Sequence, residues 1–81
     1  MTSKDYLKLE LMTFAINHDF FGYGSSCTKR SDGKYISIVD CERYEYTGKQ
    51  LADEFDTIDD EEKKNIIDYY FQLKLSSKGL Y

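Results

Sequence analysis

The chain contains no proline and no tryptophan, and its 81 residues include one histidine, two cysteines and five glycines. The shortage of metal-binding side chains is the first exclusion. Two Cys and one His, without C-x-x-C or H-x-x-x-H spacing, fall one ligand short of a structural zinc tetrahedron, so no metal and no other cofactor is expected. Nucleophilic catalysis would need Cys27 or Cys41 beside His18 with a third group to orient the ring, and nothing in their spacing selects such a set. The chain is not expected to be an enzyme. No apolar run approaches the roughly 18 residues of a membrane span. Met1-Thr2-Ser3-Lys4-Asp5 lacks the apolar stretch of a secretory signal, so the expected location is cytoplasmic, with no membrane partner.

What is present is small, acidic and rich in tyrosine. A chain of this size buries only about 60–65% of the surface it exposes when unfolded, which leaves no room for a second domain or a deep cofactor cavity. Residues 1–81 are therefore read as a single domain. Eight Tyr and five Phe make up the 16% aromatic content. Tyrosine joins a rigid apolar body to a hydroxyl that needs a partner, which suits exposed strand faces and interfaces better than a closed core.

From Lys4 to His18 there is no glycine or proline, and Thr2 or Ser3 can cap this stretch with Asp5 close behind, so the first element is a helix. At about 100° per residue, Leu7, Leu11, Phe14 and Ala15 share one face while Leu9, Met12 and Ile16 gather nearly opposite. Either the rest of the chain wraps this helix or its second face meets a partner. Gly22 and Gly24 then make a corner, with Phe20, Phe21 and Tyr23 around it. Gly22-Tyr23-Gly24-Ser25-Ser26 superficially resembles a phosphate loop, but it follows a helix and enters a strand, the reverse of the order such loops need.

Ser25 to Arg30 and the alternating run Tyr35-Ile36-Ser37-Ile38-Val39 read as a hairpin turning at Asp32-Gly33. The second strand is expected to continue toward Tyr46, placing Ile36, Ile38, Tyr44 and Tyr46 on one face and Tyr35, Ser37, Val39, Cys41 and Arg43 on the other. A two-residue turn sets Cys27 across from Ile38. A three-residue turn sets it across from Ser37, with Cys41 on the order of 13 Å further along. Neither register meets the limit of about 7 Å between bridged Cα atoms, so two reduced thiols are expected.

Lys49 to Phe55 has the composition of a short helix, and Thr57 is the expected cap of a long last helix. Asp59 to Lys63 and Asp60 to Lys64 fall at the spacing of helical ion pairs, and Gly79 is a plausible stop. Ile66, Ile67, Tyr70, Phe71, Leu73 and Leu75 cover a wide arc of that helix. The expected fold is α+β: an N-terminal helix, a β-hairpin or three-stranded antiparallel sheet, a short helix, and a long C-terminal helix packed on one face.

Asp53, Glu54, Asp56, Asp59, Asp60, Glu61 and Glu62 place seven carboxylates within ten residues, with no base among them. An EF-hand is excluded, because its loop needs a central glycine that this stretch lacks. Part of the charge suits the positive start of a helix, but Asp53, Glu54 and Asp56 precede the cap. Residues 1–38 carry five bases and four acids, whereas residues 39–81 carry six bases and eleven acids. A field confined to one half favours association with a basic surface and disfavours nucleic acid.

The leading expectation is a non-enzymatic protein-binding module, in one version a small inhibitor or regulator such as a phage or mobile element encodes. It would present carboxylates where a basic host protein expects nucleic-acid phosphates. Its partner-binding residues would be Asp53, Glu54, Asp56, Asp59, Asp60, Glu61, Glu62, Tyr44 and Tyr46. The alternative is a small dimeric nucleic-acid-binding regulator that reaches phosphates with Lys29, Arg30 and Lys34 at the hairpin tip and self-associates through Leu9, Met12 and Ile16. A pI near 4.8 weighs against it. A third reading is a structural subunit whose second apolar helix face is an obligate interface.

Overall fold

The computed structural model describes residues 1–77. In chain order the elements are α1 (Ser3–Asn17), β1 (Ser26–Lys29), β2 (Tyr35–Val39), β3 (Glu42–Tyr46), α2 (Gly48–Phe55) and α3 (Asp60–Ser77). This is the expected α+β order, with the sheet in its three-stranded form, antiparallel and arranged β1-β2-β3. Gly79, expected as the stop of the last helix, lies outside the described residues.

Local chemistry explains most boundaries. Thr2 caps α1 in a reciprocal box: its hydroxyl accepts from the Asp5 backbone N–H, and the Asp5 carboxylate accepts from the Thr2 N–H. Thr47 and Gln50 repeat the arrangement at α2. The cap of α3 differs from expectation. Asp59, not Thr57, accepts from the Glu62 N–H at 2.8 Å, while the Thr57 hydroxyl turns back to donate to the Glu54 carbonyl at the end of α2. A carboxylate two residues nearer the helix satisfies the orphan donor, and Thr57 finishes the preceding helix instead. The expected ion pairs from Asp59 to Lys63 and from Asp60 to Lys64 are not formed, and Lys63 lies over the Phe55 ring, linking α3 to α2.

The first hairpin takes the three-residue register, with Cys27 opposite Ser37 and Lys29 opposite Tyr35. Arg30 and Lys34 close the loop, the Gly33 N–H returns to the Arg30 carbonyl, and Gly33 adopts φ +88°. That is a tight turn followed by a left-handed residue, which requires glycine. Arg30 bonds Asp32 across the loop. This bond, with the Lys34 N–H, holds the Asp32 carboxyl down at about 2.

The expected continuous strand to Tyr46 is broken. Asp40 and Cys41 both take positive φ, +53° and +66°, and make a two-residue turn that folds β3 back beside β2, with Val39 opposite Glu42 and Ser37 opposite Tyr44. The turn reverses the expected side assignment. Tyr44 and Tyr46 share a face with Tyr35, Ser37 and Val39, while Ile36 and Ile38 lie on the opposite face with Arg43 and Glu45.

One face of the sheet is covered by α1 and α2, and α3 lies against α1. The core runs between them, with Ala15, Leu51, Ala52 and Ile66 completely buried. Leu9, Met12 and Ile16 belong to this core. Their expected role in self-association is therefore corrected: each is at most 8% exposed, because α2, the sheet and α3 wrap α1 on both apolar sides. The apolar residues of α1 left at the surface are Tyr6 and Leu7. Of the wide apolar arc of α3, only Ile66 and Tyr70 are buried, and Phe71, Leu73 and Leu75 stay exposed. Among the described residues no helix is long and apolar enough to cross a membrane.

Asn17, the last residue of α1, ties the helix to the sheet. Its side-chain amide accepts from the Cys27 N–H at 2.9 Å and donates to the Cys27 carbonyl at 3.0 Å. Both backbone groups point away from β2, so one amide occupies the place of a neighbouring strand and closes the outer edge of β1 at that point.

Candidate functional site

A cleft of about 320 Å³ opens between the covered face of the sheet and the junction of α2 with α3. Its sheet wall is built from Ser37, Val39, Tyr44 and Tyr46, which the Asp40–Cys41 turn brings side by side. The opposite wall comes from Met12 and Ile16 of α1, and Glu54, Thr57 and Ile58 form the rim, with Phe21 closing one end. The Tyr44 and Tyr46 rings stack with centroids 6.4 Å apart. Tyr44 donates its hydroxyl to a Glu42 carboxylate oxygen at 2.5 Å.

Among the described residues Glu54 is the one carboxylate lining this cleft, and no Lys, Arg or His lines it. Among the described residues Glu54 forms no ion pair. Burial and the nearby Glu54 charge raise the Tyr46 phenol above its ordinary value of 10.0, and Glu42 does the same for Tyr44 through the hydrogen bond and its charge. Both tyrosines remain neutral at physiological pH. Glu54 also joins Asp53, Glu45, Gln50 and Tyr46 around an adjoining groove, so the acidic surface continues onto β3.

The structure divides the seven expected carboxylates. Asp53 pairs with Lys49 at 3.0 Å and Asp56 with Lys8 at 2.9 Å. Asp59 is occupied as a cap. Asp60, Glu61 and Glu62 crowd the first turn of α3 and, like Glu54, make no ion pair among the described residues. Glu54 meets the two tyrosines, and Asp60, Glu61 and Glu62 stand apart from the cleft lining. Phe21 and Ile58 complete a site that the sequence reading did not assemble. Phe21 is read from the sequence only as part of the glycine corner, and Ile58 is an apolar residue in a linker that no local pattern assigns to a site.

The hairpin tip is different in character. Arg30 is held by Asp32 and by Glu45, and Arg43 also lies against Glu45. Lys29 and Lys34 remain exposed, but the arginine between them is already neutralised. The groups considered for catalysis are dispersed: His18 lies against Phe14 with ring centroids 4.2 Å apart and the planes tilted by 33°, Cys27 is buried, and Cys41 sits exposed in the second turn. Among the described residues no three His, Cys, Asp or Glu side chains converge to hold a metal ion.

Both thiols are free, and they should behave differently. Burial pushes the Cys27 thiol from its ordinary 9.0 up to about 11, whereas Cys41 is open to solvent. Titration of the native protein with an aromatic disulfide reagent should release one equivalent quickly and the second only on unfolding. Equal rates for both would contradict the burial of β1. The unfolded chain loses the Cys27 proton near pH 9 and the folded chain near 11, so the contribution of this residue to stability is present below pH 9 and falls as pH rises through that window.

The chain matches no protein-family model, no curated protein and no solved structure.

Proposed function

We propose that this protein is a non-enzymatic protein-binding module that docks on a basic protein through the acidic, tyrosine-bearing corner formed by β3, α2 and the start of α3. The observation that carries this reading is the meeting of Glu54 with the paired tyrosines in one cleft, while Asp60, Glu61 and Glu62, which make no ion pair among the described residues, crowd the first turn of α3. The helix dipole favours carboxylates at the start of α3, but Glu54 lies near the C-terminal end of α2, where the dipole disfavours one, so fold stability gives no reason for it there. Large aromatic bodies beside complementary charge are the composition of an interface centre. The finer version is a small inhibitor or regulator, of the kind a phage or mobile element encodes, that occupies a nucleic-acid-binding surface by placing carboxylates where phosphates lie.

The nucleic-acid-binding alternative loses support on two counts, because Arg30 is internally paired and the dimer stripe Leu9, Met12 and Ile16 is core. The test is a salt-graded affinity capture from lysate of the source or its host, comparing the natural protein with the variant Asp60→Asn, Glu61→Gln, Glu62→Gln. The variant keeps the Asp59 cap and should fold with an unchanged circular dichroism spectrum. Its affinity for the captured basic protein should fall about tenfold at low salt, with a flatter salt dependence. Undiminished capture by the variant would mean that these carboxylates only solvate the helix.

A further inference from the structure

We propose that the cleft between Tyr44, Tyr46 and Glu54 is an anchor pocket for a single arginine side chain of the docking partner. This deepens the protein-binding reading and rests on it. The cleft has the three features that a guanidinium on an aliphatic stem requires. Its lining includes the apolar side chains of Met12, Ile16, Val39 and Ile58, which suit the methylene stem of a long basic side chain. Its sheet wall carries two aromatic rings, on whose faces a planar, weakly hydrated cation can stack. Its lining carries one carboxylate among the described residues, Glu54, which forms no ion pair there, and a carboxylate can accept a forked pair of hydrogen bonds from a guanidinium.

Charge complementarity selects the occupant. Among the described residues no basic group lines the cleft, and Glu42 stands beside it on the Tyr44 hydroxyl, so an anionic or purely apolar guest would leave Glu54 desolvated without compensation. The volume of about 320 Å³ lies at the lower end of ligand clefts and fits one side chain rather than a folded segment. Arginine is preferred to lysine because the compact ammonium is strongly hydrated and presents no plane to a ring.

The test needs no natural partner. Three acetylated and amidated tripeptides, Gly-Arg-Gly, Gly-Lys-Gly and Gly-citrulline-Gly, are titrated into isotope-labelled protein, and backbone and aromatic NMR shifts are followed. The arginine peptide should move the signals of Tyr44, Tyr46 and Glu54. It should bind about fivefold more tightly than the lysine peptide, the increment expected from stacking. The uncharged citrulline peptide should bind more weakly than either. Glu54→Gln and Tyr44→Ala should each abolish the arginine preference while leaving the remaining spectrum in place. Shifts confined to Asp60, Glu61 and Glu62, or equal affinity for arginine and lysine in the natural protein, would overturn the pocket. That failure is distinguishable from failure of the protein-binding reading, which the lysate capture with the Asp60, Glu61 and Glu62 variant tests independently.

Discussion

Replacing Leu51 with alanine is expected to destabilise the protein by about 3 kcal/mol, a large share of the roughly 4–12 kcal/mol available to a domain of this size. Leu51 has no exposed surface. It sits on the buried face of α2 with Ala52 and Phe55, where α2 packs on α1. Two of its completely buried neighbours in the core, Ala15 and Ala52, carry no side chain beyond Cβ and cannot swing in to fill the space. The cavity therefore stays open, and its cost adds to the lost transfer free energy. Thermal unfolding followed by circular dichroism should show a midpoint lower by about 10–20 °C. Leu75→Ala is the matched control, since Leu75 is 67% exposed, and its effect should stay within about 0.5 kcal/mol. Comparable losses in the two variants would contradict the burial pattern of α2 and α3.

The second large effect concerns a polar residue. Asn17→Ala should cost about 2–3 kcal/mol, because it removes both bonds to the Cys27 backbone and leaves a partly buried N–H and C=O without partners. Asn17→Asp separates the two contributions. Its carboxylate can still accept from the Cys27 N–H but sets a negative charge against the Cys27 carbonyl, so it should not restore stability. Hydrogen exchange at the Cys27 amide reports the change directly and should accelerate in Asn17→Ala more than in Asn17→Asp, which keeps an acceptor for that N–H. Loss of the amide also exposes the edge of β1, and concentration-dependent association of Asn17→Ala should appear where the natural protein has none of that origin. Unchanged protection of the Cys27 amide would show that the edge is closed by something other than Asn17.

Local signals made much of the fold legible. A cap at Thr2 or Ser3 followed by a long stretch free of glycine identifies α1, and Asp32-Gly33 identifies the first hairpin, since glycine supplies the positive φ that the turn requires. The second turn carried no such signal. Asp40 tolerates left-handed geometry, but Cys41 is not a turn residue, so the alternating pattern appeared to run on. This missed turn changed the faces. Alternation alone puts Tyr44 and Tyr46 on one side with Ile36 and Ile38, whereas pairing across β2 and β3 places them with Ser37 and Val39.

The candidate site shows the same division. Its acidic residues were apparent as a run in the sequence, and their concentration needed no fold to be seen. Which of them are engaged depended on Lys8 and Lys49, which approach Asp56 and Asp53 from other parts of the chain. Lys49 lies four residues from Asp53, within reach of a helical reading, whereas Lys8 lies on a different helix from Asp56 and no local pattern announces the pair.

The sequence by itself determined the order of the helices, the start of α1 at Thr2 or Ser3, the first hairpin and the acidic bias of residues 39–81, because each depends on residues a few positions apart. Tertiary structure alone decided that both apolar sides of α1 are covered and that Leu9, Met12 and Ile16 are core. It also decided that Glu54 meets two tyrosines across a cleft. These outcomes depend on contacts between distant segments, and a periodic apolar face looks the same whether another part of the chain or another molecule covers it.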